Sequence, residues 1–123
     1  MTWELKNDRP IYAQLIEQIE LRIISGYYPV GSKLPSVRDM AMEAAVNPNT
    51  MQRALSELER GGLVYTQRTS GRFITEDVEM IQRAKEHYAH TKVLEFFNSM
   101  AAIGYDMQQT VKLVQSAVEK EGI

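Results

Sequence analysis

Residues 36–62 read SVRDMAMEAAVNPNTMQRALSELERGG, a stretch that resolves into two short helices separated by a sharp turn. Ser36 follows Pro35 and precedes Asp39 by three, a capping-box spacing in which each side chain can satisfy an exposed backbone donor of the other. A helix therefore begins at Ser36 and ends near Ala45-Val46, with Val37, Met40, Ala41 and Ala44 inward and Arg38 and Glu43 outward. The inward residues are mostly small, so another helix can approach closely. Asn47-Pro48 restarts the chain, since Asn47 is a good N-cap and Pro48 suits the first helical position. This next helix runs to about Arg60 and stops at Gly61-Gly62. Met51, Ala54, Leu55 and Leu58 form its apolar face, while Asn49, Gln52, Arg53, Ser56 and Arg60 fall at i, i+3, i+4, i+7 and i+11 on the opposite side.

Working outward, Asp8-Arg9-Pro10 opens an earlier helix whose Tyr12, Leu15, Ile16, Ile19 and Ile23 recur at spacings of three and four until Ser25-Gly26 ends it. Residues 27–35 carry two prolines and a glycine and read as a fixed-shape loop rather than a regular element. After the paired glycines, Leu63-Val64-Tyr65-Thr66 and Arg72-Phe73-Ile74-Thr75 are β-branched and aromatic segments around a polar, basic tip, which is a hairpin. From Glu76 a helical period returns through Val78, Ile81, Ala84, Tyr88, Leu94, Phe97 and Ala101 until Gly104 breaks it. A last helix starts near Asp106 with Met107, Val111, Val114 and Val118 on one side. The fold class is thus mainly α with a small β-hairpin: a winged helix-turn-helix over residues 1–75, then a two-helix C-terminal region over residues 76–123.

Composition narrows the function. The hydrophobic content of 44% and charged content of 24% are those of a folded globular chain, and no apolar run reaches the roughly 18 residues that a membrane span needs. Met1-Thr2-Trp3-Glu4 lacks the basic-then-apolar layout of a secretory signal, so the expected location is cytoplasmic, with no membrane partner. The absence of cysteine excludes disulfides and thiolate metal sites, and neither a metal nor a cofactor is expected. The net charge is −2, but it is unevenly spread: residues 33–75 hold six basic against four acidic side chains, and residues 76–123 hold five against eight. No nucleophile, base and orienting group stand together, so no enzymatic activity is expected.

The middle section has what a reader of the DNA major groove needs. That groove admits one α-helix, and Asn49, Gln52 and Arg53 carry the paired donors and acceptors that match base edges. Thr50 suits a phosphate or a thymine methyl, and the helix start at Ser36, with Arg38, suits a phosphate. The tip Arg68, Thr69, Ser70, Gly71 and Arg72 is placed to reach the adjacent minor groove.

These residues together resemble the signature of the GntR family of bacterial transcriptional regulators. The likeness is carried by Pro10-Ile11-Tyr12 with Gln14-Leu15, by Leu34-Pro35-Ser36 with Arg38, by Val46-Asn47-Pro48-Asn49-Thr50 with Arg53-Ala54-Leu55, and by Gly71-Arg72-Phe73-Ile74, in that order. Asn47 joins the DNA-binding set through this motif. Thr69 departs from the pattern, because the family commonly has a second glycine there. The short tail is similar to the YtrA subfamily, which implies dimerisation through helices, a repressor acting on double-stranded operator DNA, and room for an unidentified small-molecule effector.

The tail also points to a homodimer by its own chemistry. Two helices cannot enclose a core, and Ile81, Tyr88, Leu94, Phe97, Val111, Val114 and Val118 would leave a large apolar patch on a monomer. A two-fold dimer places two reading helices about 34 Å apart, the spacing of half-sites one turn apart on a pseudo-palindromic operator. Tyr88, Phe96 and Phe97 read as dimer packing, and His87 and His90 as a solvated helix surface with no further ligand cluster. A winged-helix module that binds protein or RNA is the alternative, since the architecture alone does not fix the partner.

Overall fold

The computed structural model describes residues 1–122. Its elements are α1 (Ile11–Ile24), α2 (Val37–Ala44), α3 (Pro48–Arg60), β1 (Val64–Gln67), β2 (Gly71–Ile74), α4 (Val78–Ala102) and α5 (Met107–Glu121). They form two compact units that divide between Lys85 and Glu86, inside α4, rather than at the end of the hairpin.

The first unit is built around α3, which packs against α1 and α2. Leu15 and Ile19 of α1, Met40 of α2, and Met51, Ala54 and Leu55 of α3 are fully buried. Complete burial of such side chains contributes roughly 1.5–3 kcal/mol each for the larger ones, so this three-helix contact dominates the stability of the unit. Val37, expected inward, is half-exposed at the first turn of α2.

Both predicted helix starts are capped. Ser36 Oγ accepts from the Asp39 amide at 3.1 Å, and Asn47 Oδ1 accepts from the Asn49 amide at 2.8 Å. Among the described residues the reciprocal capping box forms not at Ser36 but at α5, where Asp106 and Gln109 each bond the other's amide. α2 ends in a Schellman turn: the Val46 amide donates to Ala41 and the Ala45 amide to Met42, with Ala45 in the left-handed region at φ 57°.

β1 and β2 pair antiparallel in the register Val64 to Ile74, Tyr65 to Phe73, Thr66 to Arg72 and Gln67 to Gly71. Val64 and Ile74 point into the core, and Tyr65 and Phe73 stack on the other face with centroids 5.7 Å apart. Residues 31–34 are more regular than a loop. The Leu34 amide donates to Arg72, the Ile74 amide to Ser32 and the Gly31 amide to Thr75, so this segment lines the far edge of β2 as Leu34 enters the core.

Three polar residues on α1 lie outside its apolar stripe: Gln14 and Arg22, both buried, and half-buried Gln18. Gln14 binds the backbone of Lys6 through both amide atoms and also donates to Arg9 O, and Gln18 pairs with both backbone groups of Glu4. Arg22, one turn further, donates to Met1 O at 3.1 Å and lies 3.8 Å over the Trp3 ring. Three side chains four residues apart thus hold residues 1–6 along α1, two through side-chain amides and Arg22 through its guanidinium, in place of a neighbouring strand.

Ile81, expected at a dimer contact, is buried within the single chain at 9% exposure. The reason is that the first turns of α4 belong to the N-terminal unit. α4 does not carry the single apolar stripe anticipated along its whole length, because Ile81, Ala84 and Tyr88 fall on one side and Val93, Leu94, Phe96 and Phe97 on another; Val93, Leu94 and Phe96 are exposed. In the second unit Val111, Val114 and Val118 are also exposed, Tyr88 and Phe97 are half-buried, and Thr110 is buried.

Ala45 gives a direct test of the turn. Replacing it with glycine relieves a left-handed L-residue, worth ~1–2 kcal/mol, against glycine's extra unfolded-state freedom of ~0.5–1 kcal/mol. Ala45→Gly is therefore expected to stabilise the protein by ~0.5–1 kcal/mol in urea unfolding, with an unchanged slope.

Candidate nucleic-acid interface

Burial of Met51, Ala54, Leu55 and Leu58 leaves α3 only one way to face. Asn49, Gln52 and Arg53 are all exposed on its leading half, Thr50 is half-buried, and Ser56 continues the same side. Asn47 is exposed too, but its amide oxygen is occupied by the cap, which leaves the NH₂ group for a ligand.

This surface carries charge as well as hydrogen-bonding groups. Arg60 pairs with Glu57 at 3.1 Å and Arg72 with Glu59 at 2.6 Å. Among the described residues Lys33, Arg38, Arg53 and Arg68 form no salt bridge, so four cations on or beside the α2–α3 face and at the hairpin tip remain available to phosphate. The Arg53 guanidinium is not loose, however, because its carbon lies 3.6 Å from the centre of the Tyr12 ring on α1.

The hairpin tip carries Arg68, Thr69, Ser70 and Gly71, all exposed. Gly71 has φ 107°, a conformation that demands glycine, and Lys33 Cε, the mobile end of an exposed side chain, lies 3.2 Å from where a side-chain carbon would be. An open groove of about 540 Å³ runs between this tip and the start of α2, with Lys33, Ser36, Ser70 and Arg72 among its walls. Lys33 escaped the sequence reading because it lies in the loop, although its charge was visible.

Arg72 stands apart from the other tip residues. Its Nε donates to Glu59 Oε1, which also accepts from Thr66 Oγ1, so one carboxylate at the end of α3 ties both strands down. Burial pushes the Glu59 carboxyl up, but the hydrogen bonds from Thr66 and Arg72 and the charge of Arg72 outweigh it and hold it below its ordinary value.

The family model described as "Bacterial regulatory proteins, gntR family" matches residues 11–74, the stretch that holds these elements. This chain belongs to the GntR family. As a GntR regulator it is a winged-helix DNA-binding transcription regulator. It is 35% identical over 116 residues to the uncharacterized HTH-type transcriptional regulator YhcF of Bacillus subtilis, covering 94% of this chain and 96% of that protein. The HTH-type transcriptional repressor YtrA of Bacillus subtilis is 40% identical over 74 residues, 60% of this chain and 57% of that repressor. A GntR family transcriptional regulator from Listeria monocytogenes superposes with a TM-score of 0.82 at 34% identity, over 91% of this chain and 98% of that one.

The Glu59 tie makes the wing of this GntR regulator acid-sensitive. A carboxyl held below its ordinary value of 4.5 stabilises the fold at neutral pH, and that contribution fades as pH falls from there through the depressed folded value. Amide resonances of the hairpin are expected to shift in that acidic window in the wild type, and Glu59→Gln is expected to abolish the transition.

Proposed function

We propose that this GntR regulator binds a pseudo-palindromic operator as a homodimer and represses transcription, with α3 in the major groove and the hairpin tip at the minor groove. The observation that carries the reading is the two-sidedness of α3: its apolar side is fully enclosed, and its Asn49, Gln52 and Arg53 side is open. Asn49 and Gln52 suit adenine edges, and Arg53 suits guanine O6 and N7. Ser36 and Thr50, with Arg38, Asn47 and Lys33, serve the phosphates. Arg68, Thr69, Ser70 and Gly71 serve the minor groove, and Arg72 acts mainly by fixing the wing to α3. Repression is supported by the printed name of YtrA. Work on chromosomal DNA places the protein in the cytoplasm.

The dimer reading rests on the second unit. Leu94, Val111, Val114 and Val118 are exposed and Phe97 is half-buried, which leaves too much apolar surface for a lone helix pair. A second copy supplies the cover and sets two recognition helices on one face of the duplex.

Arg53→Ala is expected to lose about 1–3 kcal/mol of operator affinity with unchanged helical content, read by fluorescence anisotropy on duplexes selected from genomic fragments. Unchanged affinity at physiological salt would remove α3 from the reading face. Phe97→Asp is expected to give monomers in analytical ultracentrifugation together with weak operator binding, and a persistent active dimer would refute the assignment of the tail.

A further inference from the structure

We infer that Tyr12, at the start of α1, is a specificity-determining positioning residue: it holds the Arg53 guanidinium flat and aimed outward before DNA arrives. The inference deepens the proposed operator reading and rests on Arg53 being a base reader. Its observation is the stack itself, with the Arg53 guanidinium carbon 3.6 Å from the Tyr12 ring centre. Arg53 is exposed while Tyr12 is half-buried, so the ring is the fixed partner and the guanidinium the one it orients.

The kind of partner matters. Arginine's five N–H donors lie in the plane of the guanidinium, and a carboxylate that oriented it would consume those donors and cancel its charge. Arg72 shows that outcome, with its Nε on Glu59. A ring beneath the face leaves the in-plane donors and the charge available to guanine and removes rotamer freedom that binding would otherwise have to remove. Tyr12 can do this because α1 is held on both sides. Leu15 and Ile19 lock it into the core with α3, and Gln14 ties the preceding segment to it.

The test uses a duplex recovered by selecting random-sequence DNA on the full wild-type chain, with binding measured for Tyr12→Leu, Tyr12→Phe, Arg53→Ala and the Tyr12→Leu/Arg53→Ala pair. Tyr12→Leu is expected to bind about fivefold more weakly, the equivalent of ~1 kcal/mol, and to discriminate less against replacement of the guanine that Arg53 reads. Tyr12→Phe keeps the ring and should match wild type, and the double variant should bind no worse than Arg53→Ala alone. Additive losses, or a Tyr12→Phe defect equal to that of Tyr12→Leu, overturn the inference, because they make Tyr12 an independent contact through its hydroxyl. If Arg53→Ala binds like wild type, the operator reading itself fails and the inference with it. Should Tyr12→Leu melt early, the Arg53 Nε–H resonance of the DNA-free protein decides the question: an upfield ring-current shift kept in Tyr12→Phe is expected, and a resonance at the position of a solvated arginine overturns the inference.

Discussion

The enclosure of one side of α3 is the constraint on which the rest of the N-terminal unit depends. A helix buried along Met51, Ala54, Leu55 and Leu58 cannot rotate without moving apolar surface into water, at a cost of several kcal/mol. Its open side is therefore a fixed presentation of polar groups rather than an average over orientations. α1 and α2 supply the enclosure, the two caps set where α2 and α3 begin, and Glu59 carries the same rigidity into the hairpin.

What could be read from the chain alone follows from the range of each interaction. The caps at Ser36 and Asn47 and the apolar period of α3 are local, and the sequence reading places them where the structure has them. Ala45 gave no signal, because alanine is a helix former and its left-handed conformation is imposed by the turn. The ribbon at residues 31–34 depends on bonds to β2 some forty positions away, and prolines masked it. Gln14 and Arg22 were invisible to a search for apolar stripes, although polar residues at 14, 18 and 22 do share one side of a helix. In the interface, outward direction was legible for Asn49, Gln52 and Arg53, whereas the pairing of Arg72 with Glu59 and the stack of Arg53 on Tyr12 are tertiary.

The second unit follows a different logic. Its helices are well formed, and α5 carries the more complete cap, yet the described residues bury little beyond Thr110. Secondary structure there is locally specified while packing is left open, which is what the proposed association would complete. The misplaced Ile81 belongs to the same picture: one helix serves two units, and periodicity does not mark where service to the first ends.

The backing of β2 by residues 31–34 has a further consequence for how copies of this protein meet. A hairpin with both outer edges bare offers templates for strand addition, the usual route to stacking and aggregation. Here β2 is bonded on both sides, and the outer edge that remains is that of β1, only four residues long. Self-recognition through sheet extension is thereby suppressed, and the pairing of chains proposed above falls to helices.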